Sequence, residues 1–85
     1  MKKITAMTRR KERIMKEKLG LTAGKVWKTL YEHQEVSTAQ LARLLRERVD
    51  QVYLALGWLA REDKIQFRTI ANRTYVSLVE AERSL

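Results

Sequence analysis

Eight of the first twenty residues are Lys or Arg (2, 3, 9, 10, 11, 13, 16 and 18), set against only Glu12 and Glu17, so this segment carries a net charge of +6. Residues 21–85 hold ten Lys/Arg and eight Asp/Glu, a net of +2. The basicity therefore belongs to an N-terminal arm, and the body is nearly balanced. A basic arm attracts polyanions, nucleic acid first among them or an acidic protein surface. Arg9, Arg10, Lys11 and Arg13 are its candidate phosphate contacts. In composition the arm is similar to those that lie along DNA minor grooves. The competing readings are a mobile solubilising tail and a partial helix, in which Ile14, Met15 and Leu19 make one apolar turn joined to the first helix.

In the body, the groups able to contact nucleic acid are scattered in sequence. Ser37, Thr38, Gln40 and Arg43 come first, then Arg46, Arg48 and Gln51, then Arg68, Asn72 and Arg73. Hydroxyl, amide and guanidinium groups of this kind bind phosphate oxygens, and such contacts supply most of non-specific affinity. An ordinary solvated charged surface is the alternative for each of them. Catalytic chemistry has no comparable set. His33 stands alone, cysteine is absent, and no nucleophile–base spacing, carboxylate pair or phosphate-cradling glycine loop occurs. An enzyme, a metal site, a cofactor and a small-molecule ligand are therefore not expected. The apolar stretch from Ile4 to Met7 is too short for a secretory signal. Nothing approaches the roughly 18 apolar residues of a membrane span. A cytoplasmic protein is expected.

The elements that must position these groups follow from periodicity. Thr22 reads as a helix cap, with Leu21 and Val26 at staple spacing, and Ala23, Val26, Trp27 and Leu30 mark one apolar face. This predicts a helix over about 23–34. Glu35 and Val36 form a very short strand. Ser37 and Gln40 make a capping box, Val36 and Leu41 a staple, and Leu41, Leu44 and Leu45 the buried face of a helix ending near 46. Arg46–Arg48 is the turn. The third helix, about 49–62, buries Val49, Val52, Ala55, Leu56 and Leu59. The period then changes to two. Ile65 and Phe67, then Thr74 to Leu78, predict a hairpin turning at Ala71-Asn72-Arg73, with Ile65, Val76 and Leu78 inward. Residues 79–85 form a last helical turn or fray.

This order predicts an α+β, mainly α, fold: a winged helix-turn-helix of three helices with a C-terminal β-hairpin wing. The domain covers 21–79, with an arm over 1–20 that is flexible or partly helical and a tail over 80–85. Two stretches, Ala23-Gly24-Lys25-Val26-Trp27 and Ala55-Leu56-Gly57-Trp58-Leu59-Ala60-Arg61-Glu62-Asp63-Lys64-Ile65, resemble a family of small bacterial winged helix-turn-helix domains of unassigned function. The resemblance covers residues 22–78 and implies the fold, homodimerisation and a place among DNA-binding domains. It implies no operator, ligand or reaction.

In a helix-turn-helix the third helix here would enter the major groove. Its outer face holds Asp50, Leu54, Gly57, Trp58 and Arg61, with Gln51 and Tyr53 at the margins. Base readout favours Arg, Lys, Asn and Gln, and this face offers Gln51 early and Arg61 late. Leu54, Gly57 and Trp58 form an apolar patch of the kind that marks protein contact. Trp58 has three readings: core under the wing or arm, interface, or DNA contact. The leading expectation is a DNA-binding winged helix in a regulatory or accessory role, its charge supplied by arm and wing. The alternative is a homodimerising protein-interaction module that uses Leu54, Gly57 and Trp58.

Overall fold

A computed structural model describes the backbone of residues 2–84 and the side chains of residues 15–84. Ala23, Val26 and Leu30 are buried as their spacing requires, and Leu19 packs against them one turn earlier. The apolar stripe thus begins upstream of Thr22, and the helix does too: α1 runs from Lys2 to Glu32. Thr22 is accordingly not a cap. It is buried inside the helix, where its Oγ1 donates to the Lys18 carbonyl at 3.0 Å. That i−4 bond satisfies the hydroxyl without ending the helix. Leu21 is 71% exposed and staples nothing. The upstream residues, rich in Lys, Arg, Glu, Met and Leu, are good helix formers, and no proline interrupts them.

Ser37 behaves as its neighbours predict. Its Oγ accepts from the Gln40 backbone N–H at 3.1 Å, and its own N–H donates to Gln40 Oε1 at 3.3 Å, closing the capping box at the start of α2 (Thr38–Leu45). Val36 and Leu41 enter the core together. Leu44 does not; Ala42 is buried in its place, and Leu44 faces solvent. The helix ends at Arg46, which takes a left-handed conformation with φ 54°. Arg46 N–H donates to the Arg43 carbonyl at 3.2 Å and Glu47 N–H to the Ala42 carbonyl at 3.1 Å, satisfying the last turn. Helix α3 follows at Val49–Arg61, with Val52, Ala55, Leu56 and Leu59 buried. Val49, expected inside, is exposed, because the first residue of the helix precedes the turn that meets α2 and α1.

Asp63 (φ 57°) and Lys64 close α3 by donating to the Ala60 and Leu59 carbonyls, both at 3.0 Å. Strands β2 (Ile65–Ile70) and β3 (Arg73–Leu78) then pair in the register Ile65↔Leu78 to Ile70↔Arg73. Two residues remain for the turn, Ala71 and Asn72, and both have positive φ, as a two-residue type I′ hairpin turn demands. β1 (Val36–Ser37) pairs with the other edge of β3, giving the antiparallel order β1-β3-β2. Ile65, Val76 and Leu78 point into the core. The whole is a winged helix: three helices covered on their open side by the sheet.

The C-terminal residues hold structure. α4 (Glu80–Arg83) lies against the end of α1. Arg83 donates to the carbonyls of Leu30, His33 and Gln34 at 2.9–3.0 Å, and the Trp27 indole N–H donates to Glu82 Oε1 at 2.9 Å. A cation on the open carbonyls of a helix end also suits the helix dipole. No described helix is long and apolar enough to cross a membrane.

Candidate nucleic-acid interface

The capping box fixes the first turn of α2 against β1, and the I′ turn brings the wing tip back beside it. Between them lies a polar cleft of about 480 Å³. Thr38, Gln40 and Arg43 come to it from α2, and Asn72 and Arg73 from the wing. Five of the residues singled out in sequence thus meet in space, although more than thirty positions separate Thr38 from Arg73. Ser37 lines the cleft as well, its Oγ already committed to the cap.

Tyr53, Thr74 and Tyr75 complete the cleft. Tyr53 projects from α3, half exposed, and its Oη lies 3.4 Å from Thr38 Oγ1. Sequence reasoning left it at the margin of the helix face. The strand alternation of β3 carried a usable signal for Tyr75, since residues 73 and 75 share a sheet face. Among the described residues, neither Arg43 nor Arg73 has a carboxylate partner, so both charges face solvent unneutralised.

The remaining candidates are placed elsewhere. Arg68 is held by Glu35: its Nε donates to one carboxylate oxygen at 3.1 Å and Nη2 to the other. That hydrogen bond, and then the charge of Glu35, push the guanidinium pKa above its already high value. Its charge is therefore matched within the chain. Arg48 sits 3.4 Å from Asp50, both highly exposed. Gln51 points away from the cleft, toward α1, beside Met15, Lys16, Leu19 and Leu54. The side chains of Arg9, Arg10, Lys11 and Arg13 lie outside the described residues.

Leu54, Gly57 and Trp58 come together on the other side of α3. Trp58 is 39% exposed and Leu54 52% exposed, so Trp58 is neither core nor free. They line a trough of about 450 Å³ with Leu19 of α1, rimmed by Arg61 and Glu62. The trough continues past Gly20, Gly24 and Trp27 to Glu82 in one direction, and past Met15 and Gln51 in the other. The outer surface of α3 thus has two flanks of opposite character: Tyr53 on the polar cleft, Leu54 and Trp58 on the apolar trough. Among the described residues no group of His, Cys, Asp or Glu is placed to hold a metal ion.

The family described as Winged helix-turn-helix domain (DUF2582) matches residues 14–78. The chain belongs to that family. Within this DUF2582 domain, the match begins inside α1 and ends with β3, so it takes in the cleft, the trough and the wing. A curated relative, Uncharacterized protein MJ1608 of Methanocaldococcus jannaschii, is 47% identical over 51 residues, covering 56% of this chain and 71% of the relative. The solution structure of protein BT2368 from Bacteroides thetaiotaomicron superposes with a TM-score of 0.69 at 36% identity, over 74% of this chain and 77% of that one. The crystal structure of the MepR–DNA complex of Staphylococcus aureus superposes with a TM-score of 0.69 at 19% identity, over 98% of this chain and 73% of that one. That last likeness speaks for the fold.

Proposed function

We propose that this DUF2582 domain binds double-stranded DNA as a regulatory or accessory factor, gripping the phosphate backbone through the α2–wing cleft and the basic N-terminal half of α1. The observation that carries this reading is the convergence of Arg43, Arg73, Asn72, Thr38 and Tyr53 on one cleft. Two unneutralised guanidinium groups there suit bidentate phosphate binding, and hydroxyl and amide groups add neutral donors. The net +6 of residues 1–20 extends the attraction beyond the body. Support from the fold comes from its likeness to MepR, solved in complex with DNA.

Backbone contacts of this kind position a protein without reading sequence. The flank of α3 that carries Leu54 and Trp58 offers only Gln51 at its start and Arg61 at its end as donors for base edges. The expected activity is therefore duplex binding with strong salt dependence and modest sequence preference. Fluorescence anisotropy on a labelled duplex tests it. Arg43→Ala with Arg73→Ala should weaken binding at least about 10-fold and lower the salt slope by about 0.9 for each phosphate no longer neutralised. Absence of binding at low salt, or equal binding by the double variant, overturns the reading.

A further inference from the structure

The two tryptophans of the chain, Trp27 and Trp58, line one pocket at the Trp27 end of the trough, about 450 Å³ in volume. Trp27 comes from α1 and Trp58 from the last turn of α3. Glu62, just past α3, and Glu82 of α4 line the same pocket. Trp27 and Glu82 stand 55 positions apart, so local spacing carries no sign of this meeting.

The Trp27 indole is held from two directions. Its ring stacks on Tyr31, with centroids 5.3 Å apart and planes 13° from parallel, and its Nε1 donates to Glu82 Oε1 at 2.9 Å. Arg83, beside Glu82, is tied to three carbonyls at the end of α1, which fixes α4 and that carboxylate with it. Trp58 remains 39% exposed. The charge here reverses that of the chain. The whole chain carries +8, but this pocket is lined by two carboxylates, Glu62 and Glu82, against one ammonium, Lys64, a net of −1. Lys64 lies 3.6 Å from Glu62, and among the described residues no cation pairs with Glu82.

We propose that this pocket binds a free organic cation of the quaternary ammonium class, with its positive head against the two indoles and Glu82. Among aromatic side chains the indole face attracts such a cation most strongly. A quaternary head has no N–H donors to satisfy, which suits a pocket also lined by Leu59, Ala23 and Gly24. A hard metal ion would need several oxygen ligands, and a primary ammonium would need acceptors for three donors. The volume lies in the range of small-molecule sites, about 300–1,000 Å³. An indole already held by its stack and its hydrogen bond loses little freedom when the cation arrives. The site is separate from the α2–wing cleft and does not depend on nucleic-acid binding.

Both tryptophans lie in the pocket, so the intrinsic fluorescence of the full chain reads this site alone. Titration with benzyltrimethylammonium tests the proposal, with a saturable change and a Kd of about 1 mM or tighter as the expected result. Dimethyl benzyl carbinol, a neutral molecule of nearly the same shape, should bind at least about 10-fold more weakly. Glu82→Gln keeps an oxygen for the Trp27 N–H and removes only the charge. Trp58→Leu keeps an apolar side chain and removes the ring, while Trp27 still reports. Each should weaken the cation at least about 5-fold with the far-ultraviolet circular dichroism unchanged. No saturable change by about 10 mM cation overturns the proposal. Equal binding of the neutral alcohol does so too, and this comparison on the parent chain decides even where a variant fails to fold. A folded variant that binds the cation as tightly as the parent also overturns it. Pelleting with phosphatidylcholine vesicles that Trp58→Leu abolishes would make the occupant a lipid headgroup and overturn the free cation.

Discussion

The two flanks of α3 differ by a single residue step in sequence, yet they belong to different surfaces. Tyr53 opens on the α2–wing cleft, among Thr38, Arg43, Asn72 and Arg73. Leu54 opens on the α1 trough, among Leu19, Gly57 and Trp58. At 100° per residue a helix turns adjacent side chains to different neighbours, and here those neighbours have opposite chemistry. One flank is polar, with two guanidinium groups that no carboxylate of the described residues pairs; the other is apolar, lined by glycine and rimmed by both signs. The lesson is that the helix which a winged fold would place in the major groove need not present one functional face. The fold name describes neither flank; the residues do.

Substitutions confined to one flank test most directly whether the two act independently. Arg43→Ala with Arg73→Ala should cost duplex affinity by 10- to 100-fold, roughly 1.4–2.7 kcal/mol, and leave the oligomeric state unchanged. Gly57→Lys changes the other flank, where a single chain has room for the side chain, and should keep the duplex affinity of the parent. If Gly57→Lys weakens duplex binding as much as the double arginine variant does, the flanks are not independent; anisotropy on the two folded variants decides. Arg83→Ala comes next. Its guanidinium supplies donors to three carbonyls at the end of α1, and losing them should cost about 1–2 kcal/mol of stability in a urea melt, given the partial exposure of the site. It strikes the anchoring of α1, so the trough should suffer more than the cleft.

Smaller effects sharpen the contrast. At Gly57 an added Cβ meets nothing within 4 Å, and alanine improves helix propensity, so Gly57→Ala should shift thermal unfolding in the stabilising direction by about 0.5–1 kcal/mol. The smallest effect belongs to Arg68→Ala. Its partner is Glu35 on the molecule's own surface. An exposed ion pair is screened by solvent and adds little to stability, and duplex affinity should change less than for Arg73→Ala. A larger loss at Arg68 would move the DNA-facing surface along the wing, away from the cleft.

Much of the fold is legible in particular residues. Ser37 and Gln40 mark the start of α2, the change of period after Lys64 marks the hairpin, and Asn72 marks its turn. These are local interactions, closed within a few residues. Thr22 and Leu44 show where such reading stops. Thr22 has the chemistry of a cap, but with Leu19 packing one turn earlier the helix continues through it, and the hydroxyl turns back to Lys18. Leu44 has the hydropathy of a core residue, but α3 and α1 meet Ala42 instead. The arm of residues 2–18 is continuous with α1 rather than separate from the helix that follows.

The order of the elements, the caps and turns that bound α2 and the wing, and the concentration of positive charge in the first twenty residues are all legible along the chain, because each depends on sequence neighbours. Tertiary structure alone decided that Thr38 and Arg73 share a cleft, that Arg68 is taken by Glu35, and that three glycines line one trough. Those juxtapositions arise from how α1, α3 and the sheet pack, which brings together residues tens of positions apart. Local periodicity carries no record of such distances.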